Sequence, residues 1–148
     1  MRKQFLLAIC LLVGITGVLA EVRSSDVIIE NLCKQGERCM DEAKYDSSFY
    51  FYNMALSQNG VKSTDWYAKI INGRGLLYYT TGDMDSALAD KLEAVRLLNR
   101  KEHPDLEGLV DAYSTLGIIY RRRQMPDSAL VYYEKALDSA EKLGNDEW

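Results

Sequence analysis

Histidine is nearly missing from this sequence, and so is the chemistry that depends on it. The 148 residues contain one histidine, three cysteines and two prolines. His103 stands beside Pro104 in a predicted interhelical turn, with no serine, cysteine or second histidine at a catalytic or metal-binding spacing. A zinc site needs about four converging ligands. We therefore expect no metal, no cofactor and no catalytic centre, and we interpret the protein as not being an enzyme.

Phosphate-binding glycine loops and catalytic carboxylate pairs are also missing. Gly73-Arg74-Gly75 lies inside a predicted helix, whereas a dinucleotide fingerprint joins a strand to a helix. Glu37 and Asp41 stand four residues apart, as do Glu107 and Asp111, so each pair shares one helix face. A solvated helix face explains these pairs better than acid–base catalysis does.

Charge is missing from residues 5–20, which follow Arg2 and Lys3. A positive start, an apolar run and small residues before a cleavage point are typical of a secretory signal peptide. We predict that residues 1–20 form this signal, with cleavage between Ala20 and Glu21. The 16 uncharged residues are fewer than the ~20 that span a bilayer, so an uncleaved anchor is the second interpretation.

The exported chain would carry 16 basic and 22 acidic residues and a net charge of −6. Such a domain is poorly suited to nucleic acid or anionic lipid, so we expect neither nucleic-acid binding nor membrane binding after cleavage. No Asn-x-Ser/Thr sequon occurs. This favours an exported protein of the bacterial envelope, periplasmic or secreted.

Two cysteines remain after cleavage, and both fall in the first predicted helix. Six residues of helix rise about 9 Å, whereas the Cα atoms of a disulfide lie within roughly 7 Å. Cys33 and Cys39 therefore cannot bridge each other. We interpret both as small buried apolar side chains, and an intermolecular disulfide is the alternative.

What the sequence has in abundance is a helical pattern with small residues at fixed places. Leu116-Gly117 is followed by Tyr120, Ala129, Tyr133 and Ala136. Glycine and alanine permit two helices to cross closely, and the tyrosines fill the space beside the crossing. This register resembles the tetratricopeptide repeat.

Two looser copies precede this one. Gly36, Gly75 and Gly117 are 39 and 42 residues apart, and Asp46-Ser47, Asp85-Ser86 and Asp127-Ser128 repeat at the same spacings. Each Asp-Ser pair is predicted to open and cap a second helix. In the middle copy Lys91 stands where an aromatic side chain usually packs, and in the first copy Ser48 replaces alanine.

The resemblance implies an all-α fold, a right-handed α-solenoid of three helix-turn-helix units. We place a lead-in at residues 21–27, the repeat domain at 28–143 and a tail at 144–148, with repeats at about 28–60, 63–101 and 104–143. The 42-residue spacing is similar to the long-helix variety found in kinesin light chains. HEAT and armadillo repeats have comparable lengths but lack this register.

The resemblance also implies a non-catalytic module that binds a protein or peptide segment in a concave groove lined by the first helix of each pair. The clamp that holds a C-terminal carboxylate in some family members is missing, since Cys33 and Glu37 occupy its Lys and Asn places. Gly73 has no role in the register, and we interpret it as admitting a partner's backbone. By register, the wall facing the partner comprises Lys69, Asn72, Leu76, Tyr79, Ser114, Ile118, Arg121 and Arg122, together with Cys33, Glu37, Met40 and Asp111.

Two further interpretations concern the context of the domain. The alternative function is the periplasmic sensing or regulatory region of a bacterial signalling system, truncated or separately encoded. The outer side of the third copy carries Leu130, Leu137 and Leu143. We expect Trp148 to fold over that side or a homodimer to form through it.

Export can be checked directly. When the full chain is expressed in a bacterium, we expect Edman sequencing or intact mass spectrometry of the envelope fraction to show a mature N-terminus at Glu21. A protein that keeps Met1 and sediments with membranes would contradict cleavage and favour the anchor.

Overall fold

The protein folds into helical hairpins. A computed structural model describes residues 25–58, 60–63, 65–99 and 104–145. Within these ranges six α-helices and one 3₁₀ helix form, and there is no strand. The predicted all-α fold is therefore confirmed. In chain order the elements are α1 (residues 25–41), α2 (Tyr45–Leu56), the 3₁₀ helix (Val61–Ser63), α3 (Asp65–Thr81), α4 (Met84–Leu98), α5 (Leu106–Arg122) and α6 (Pro126–Asn145).

Consecutive helices pack on each other, and first helices also meet across the array. Contacts join α2 to α3, α3 to α4, α4 to α5 and α5 to α6, and α3 also contacts α5. Two apolar clusters result. Ile70 and Leu77 of α3 join the first cluster with α1 and α2, and Ala68 and Ile71 of α3 join the second with α4, α5 and α6. Helix α3 is therefore shared by both halves of the core.

The turn inside each hairpin has the same geometry in all three copies. Ala43, Gly82 and Gln124 have φ values of 57°, 95° and 60°, at the spacings of 39 and 42 residues seen in the sequence. In each turn the next residue donates its backbone N–H to a carbonyl five residues earlier, which closes the first helix with a left-handed cap. These bonds run from Lys44 to Cys39 at 2.8 Å, from Asp83 to Tyr78 at 2.9 Å and from Met125 to Tyr120 at 3.0 Å.

The prediction that the Asp-Ser pairs cap the second helices is wrong, because those helices begin earlier. Helix α4 starts at Met84, and its N-cap is Asp83, whose carboxylate accepts a bond of 3.1 Å from the backbone N–H of Ser86. The N-cap of α2 is Lys44, which makes no side-chain cap bond. Asp46, Asp85 and Asp127 lie in the first turn instead, where a negative charge stabilises the helix dipole.

Each hairpin crosses at its predicted glycine. A methyl group on Gly117 would lie 2.5 Å from Cε1 of Tyr133, and one on Gly36 would lie 2.8 Å from Cε1 of Tyr52. The tyrosine rings occupy the space that a Cβ would need. In the first hairpin the buried Ser48 also donates its hydroxyl to the carbonyl of Gly36 at 2.8 Å, which accounts for serine in place of alanine there.

Both cysteines are buried and unpaired, as interpreted from the sequence. Cys33 is fully buried, and its thiol donates to a carboxylate oxygen of Glu37 at 3.5 Å. Burial raises the pKa of this thiol to about 12, and the charge of Glu37 adds to the effect. Cys33 is therefore not poised to form a disulfide with another molecule.

Several boundaries differ from the sequence prediction or fall outside the described ranges. Helix α1 already includes residues 25–27, which had been assigned to the lead-in, and α6 continues through Asn145. The third repeat was placed from about residue 104, and its first helix, α5, begins at Leu106 after the N-cap Asp105. The signal at residues 1–20, His103 and Trp148 lie outside the described ranges. No helix within those ranges has the length and apolar character that crossing a membrane requires.

Alanine substitutions at two helical glycines separate packing from helix propensity. Gly117→Ala must displace the Tyr133 ring, so we expect it to lower the free energy of unfolding by about 1–2 kcal/mol despite the gain in helix propensity. Gly144 has no neighbouring atom within 4 Å of an added methyl group, so Gly144→Ala should be neutral or stabilising by up to about 1 kcal/mol. Urea unfolding followed by circular dichroism measures both. Equal stability of the two variants would contradict the crossing.

Candidate functional site

The first helices enclose a groove of about 360 Å³ between α1, α3 and the start of α5. Apolar side chains and carboxylates both face it, so it can accept a ligand with an apolar body and a polar end. We call it the interhelical groove. It is lined by Glu37, Met40, Asp41, Tyr52, Lys69, Asn72, Gly73, Leu76, Leu98, Asp105, Glu107, Gly108 and Asp111.

The groove is acidic. The pairs Glu37 with Asp41 and Glu107 with Asp111 both line it, and their side chains are exposed or, for Asp111, half-buried, which agrees with the interpretation of solvated helix faces. Asp105 adds a fifth carboxylate, although that group accepts a bond of 3.0 Å from the backbone N–H of Gly108 as the N-cap of α5. One lysine, Lys69, also lines the groove, but the five carboxylates outnumber it, so the field in the groove favours cations.

One lysine is buried behind this wall. Lys91 of α4 is 0% exposed, and its ammonium donates to Oδ2 of Asp111 at 2.6 Å and to Oδ1 of Asn72 at 2.8 Å. Asn72 donates in turn to the same Asp111 oxygen at 2.9 Å. The network ties α3, α4 and α5 together, and the aliphatic stem of Lys91 packs where a methyl group on Gly75 would lie 3.1 Å from its Cγ. The middle copy thus replaces the tyrosine of its neighbours with a buried charge.

The network leaves part of Asp111 available to a ligand. Its side chain is 41% exposed, and both protein donors bind Oδ2 while Oδ1 accepts no bond from the described residues. Burial lowers the pKa of Lys91, and the charge of Asp111 opposes that shift without cancelling it. Lys91 and Asn72 therefore fix the position of Asp111 through Oδ2, while Oδ1 stays accessible to a ligand in the groove.

The Tyr52 hydroxyl also reaches the groove. Tyr52 is 2% exposed and lines the groove, and its hydroxyl makes no hydrogen bond to any described residue. A methyl group on Gly73 would lie 2.5 Å from that hydroxyl oxygen. Gly73 therefore makes room for Tyr52, so the interpretation of Gly73 as a place for a partner's backbone is not needed to explain it.

The structure brings three of the eight predicted contact residues into the groove, namely Lys69, Asn72 and Leu76. Lys69 is exposed, with its ammonium 5.2 Å from the centre of the Trp66 ring. The amide of Asn72 is already bonded to Lys91 and Asp111. Among the additional wall residues, Glu37, Met40 and Asp111 line the groove, whereas Cys33 is buried beneath it.

The other five predicted residues lie outside the groove. Tyr79 is half-buried, and the guanidinium of Arg122 lies 5.1 Å from the centre of its ring. Ser114 and Ile118 are half-buried further along α5, and Arg121 is exposed. Ser114, Ile118 and Arg122 are spaced four residues apart on α5 and Arg121 lies three residues after Ile118, so they share one helix face with the residue that contacts Tyr79. We call these five residues the Tyr79–Arg122 patch.

Sequence reasoning missed the residues that reach the groove from second helices or from the start of α5. Nothing in the sequence pointed to Tyr52, Leu98, Asp105 or Gly108 as site residues. The one available signal was the pair of glycines in a single turn of α3, Gly73 and Gly75, because each admits a side chain from a second helix.

Among the described residues no group of three or more His, Cys, Asp or Glu side chains could hold a metal ion.

The buried ammonium predicts how stability changes with pH. The pKa of Lys91 lies below its ordinary value of 10.5 in the folded state, so between these two values the unfolded chain binds more protons. The stability that Lys91 contributes therefore rises with pH in that window. We expect the unfolding free energy of the wild type to rise relative to Lys91→Met as pH approaches 10.5.

Urea unfolding of both proteins from pH 7 to 10.5 measures this difference, in which the tyrosines common to both proteins cancel. At pH 7 the two proteins should differ by less than about 2 kcal/mol, because the exposed part of Asp111 can be solvated when its partner is removed. A difference that stays constant or falls with pH would contradict the desolvated lysine.

Comparison with known proteins agrees with the hairpin geometry. The tetratricopeptide repeat family model matches residues 66–142, just over half of the chain. The matched span covers α4 and α5 and nearly all of α3 and α6, which form the second and third hairpins, and it omits the first, whose register is the loosest. No curated protein matches the chain. The turns, the glycine crossings and this match together show that the chain belongs to the tetratricopeptide repeat family.

Proposed function

We propose that this protein is a non-catalytic adaptor that binds a peptide or protein segment in the interhelical groove. The single observation that carries the proposal is the groove itself, formed by first helices in a family whose repeats generally mediate protein–protein interaction. Its volume accommodates a few side chains of a bound segment rather than a folded domain.

The lining suits a segment in which apolar and polar side chains alternate. Met40, Leu76 and Leu98 offer apolar contact, and the carboxylates between them offer acceptors for hydrogen bonds. Apolar pockets beside fixed polar groups are what grooves that bind extended or helical segments use to select a sequence.

The Tyr79–Arg122 patch extends the proposed surface. It lies on α3 and α5, the same helices that form the groove, and also carries Ser114, Ile118 and Arg121. An aromatic ring with a guanidinium above it is a rigid contact surface of the kind that dominates binding energy at interfaces. We propose that a segment seated in the groove continues across this patch.

The proposed setting is the exported, periplasmic or secreted one, with no membrane attachment after the signal is removed. The length of α6, 20 residues, supports the long-helix variety of the repeat. The sensing alternative would use the same groove.

Leu130 and Leu137 of α6 are 58% and 60% exposed, and we propose that this face forms a homodimer.

Peptide display against the full chain tests the groove. We expect enriched peptides that bind the wild type and bind Leu76→Ala/Tyr79→Ala at least about tenfold more weakly, because truncating a buried contact at a binding site costs about 1–2 kcal/mol or more. The matched control is Leu130→Ala/Leu137→Ala on α6, which should bind the same peptides as the wild type.

Failure to enrich any peptide, or equal binding by both double variants, would contradict the groove and the adjoining Tyr79–Arg122 patch as the binding surface. The control variant also tests the dimer. Sedimentation equilibrium should show a dimer for the wild type and a monomer for Leu130→Ala/Leu137→Ala, and a monomeric wild type would reject self-association.

A further inference from the structure

The Tyr52 side chain is buried, but its hydroxyl lies at the wall of the interhelical groove and no described residue bonds to it. Its ring is explained by packing over Gly36, but packing needs only phenylalanine there. Among the described residues every side-chain nitrogen or oxygen that is closed off from solvent has a hydrogen-bond partner, so this unpaired oxygen is reached by solvent in the groove. This hydroxyl makes no bond to the described residues and opens onto the interhelical groove. It is therefore available to something that enters the groove.

The groups around this hydroxyl are negative. Burial raises the pKa of Tyr52 well above its usual range, with smaller contributions from Cys33 and from the charges of Glu37, Asp41 and Asp111. The phenol consequently stays protonated and neutral, and its oxygen keeps lone pairs that can accept a hydrogen bond.

The three carboxylates keep acceptor capacity of their own. Glu37 receives only the long thiol bond from Cys33, and Asp41 forms no ion pair with any described residue. Asp111 keeps Oδ1 open because Lys91 and Asn72 both bind Oδ2. The groove therefore presents acceptors and negative charge together.

A ligand that fits must supply donors and positive charge. Carboxylates and phosphates would be repelled by the five acidic residues of the lining, and a neutral apolar side chain would leave the acceptors unpaired. An ammonium supplies three donors and a guanidinium five, each at the end of an aliphatic stem. Met40 and Leu76 line the same groove and can contact such a stem.

We propose that the interhelical groove takes the Lys or Arg side chain of a basic partner segment, with the stem against Met40 and Leu76 and the charged end among Glu37, Asp41, Asp111 and the Tyr52 hydroxyl. The proposal rests on the groove binding proposed above and names the chemistry of its partner.

Fluorescence anisotropy with labelled hexalysine as the probe and the full chain at 150 mM salt tests this proposal. Hexalysine should bind and labelled hexaglutamate should not. Tyr52→Phe keeps the ring over Gly36 and removes only the hydroxyl, so we expect hexalysine affinity to fall about threefold to tenfold. Glu37→Gln/Asp41→Asn should reduce it about tenfold or more.

The matched control is Glu134→Gln/Glu141→Gln, which removes the same two charges from exposed positions of α6. Because the whole chain is acidic, with a net charge of −4, a general attraction for hexalysine would weaken equally in both double variants. That equality would overturn the proposal, as would unchanged binding by Tyr52→Phe. Thermal unfolding followed by circular dichroism confirms that each variant is folded before its binding is compared.

The displayed peptides separate this inference from the groove function. If the peptides that depend on Leu76 and Tyr79 are enriched in Lys and Arg, both proposals are supported. If they depend on those residues but carry no excess of Lys or Arg, the groove binds segments and the cation proposal is overturned.

Discussion

The structure depends on how one side chain from each second helix fills the space above a glycine of the preceding helix. At that register position the three hairpins carry Tyr52, Lys91 and Tyr133. The backbones can approach only because the glycine has no side chain, and they stay apart only because the larger residue occupies the gap. In the first two hairpins the polar end of that residue meets a first helix of the next hairpin, since the Tyr52 hydroxyl lies against Gly73 and the Lys91 ammonium bonds to Asp111. The Tyr52 hydroxyl therefore lines the groove, and the Lys91 ammonium holds Asp111, which lines it, so the same residues serve packing and the chemistry of the site.

The middle crossing differs in kind from the other two. A tyrosine there would pack without desolvating a charge, whereas a lysine with 0% exposure must be compensated by hydrogen bonds and an opposite charge. Asn72 and Asp111 supply both. The result is a polar cluster at the centre of an array whose remaining contacts are mostly apolar, and it fixes the relative position of α3 and α5.

The fold could be predicted from the sequence because the close crossing of two helices requires a glycine at a fixed position of each repeat. Gly36, Gly75 and Gly117 located the crossings. The helix starts were misplaced because Asp46 and its equivalents suit both a cap and a first turn. For the site, register identified Glu37, Lys69 and Leu76, since period determines which side of a helix faces the groove. Period cannot show how far Tyr52 reaches through a crossing, or that Gly73 leaves room for its hydroxyl, because those facts depend on the distance between two helices.

The three left-handed turns have a consequence for anyone using this array as a scaffold. The middle turn has Gly82, for which a positive φ carries no steric penalty, but Ala43 and Gln124 adopt the same conformation with a Cβ and so hold local backbone strain. Both residues are exposed and absent from the groove lining. Engineering at these two loop positions can therefore raise thermal tolerance while leaving ligand recognition untouched, so durability and selectivity can be adjusted independently.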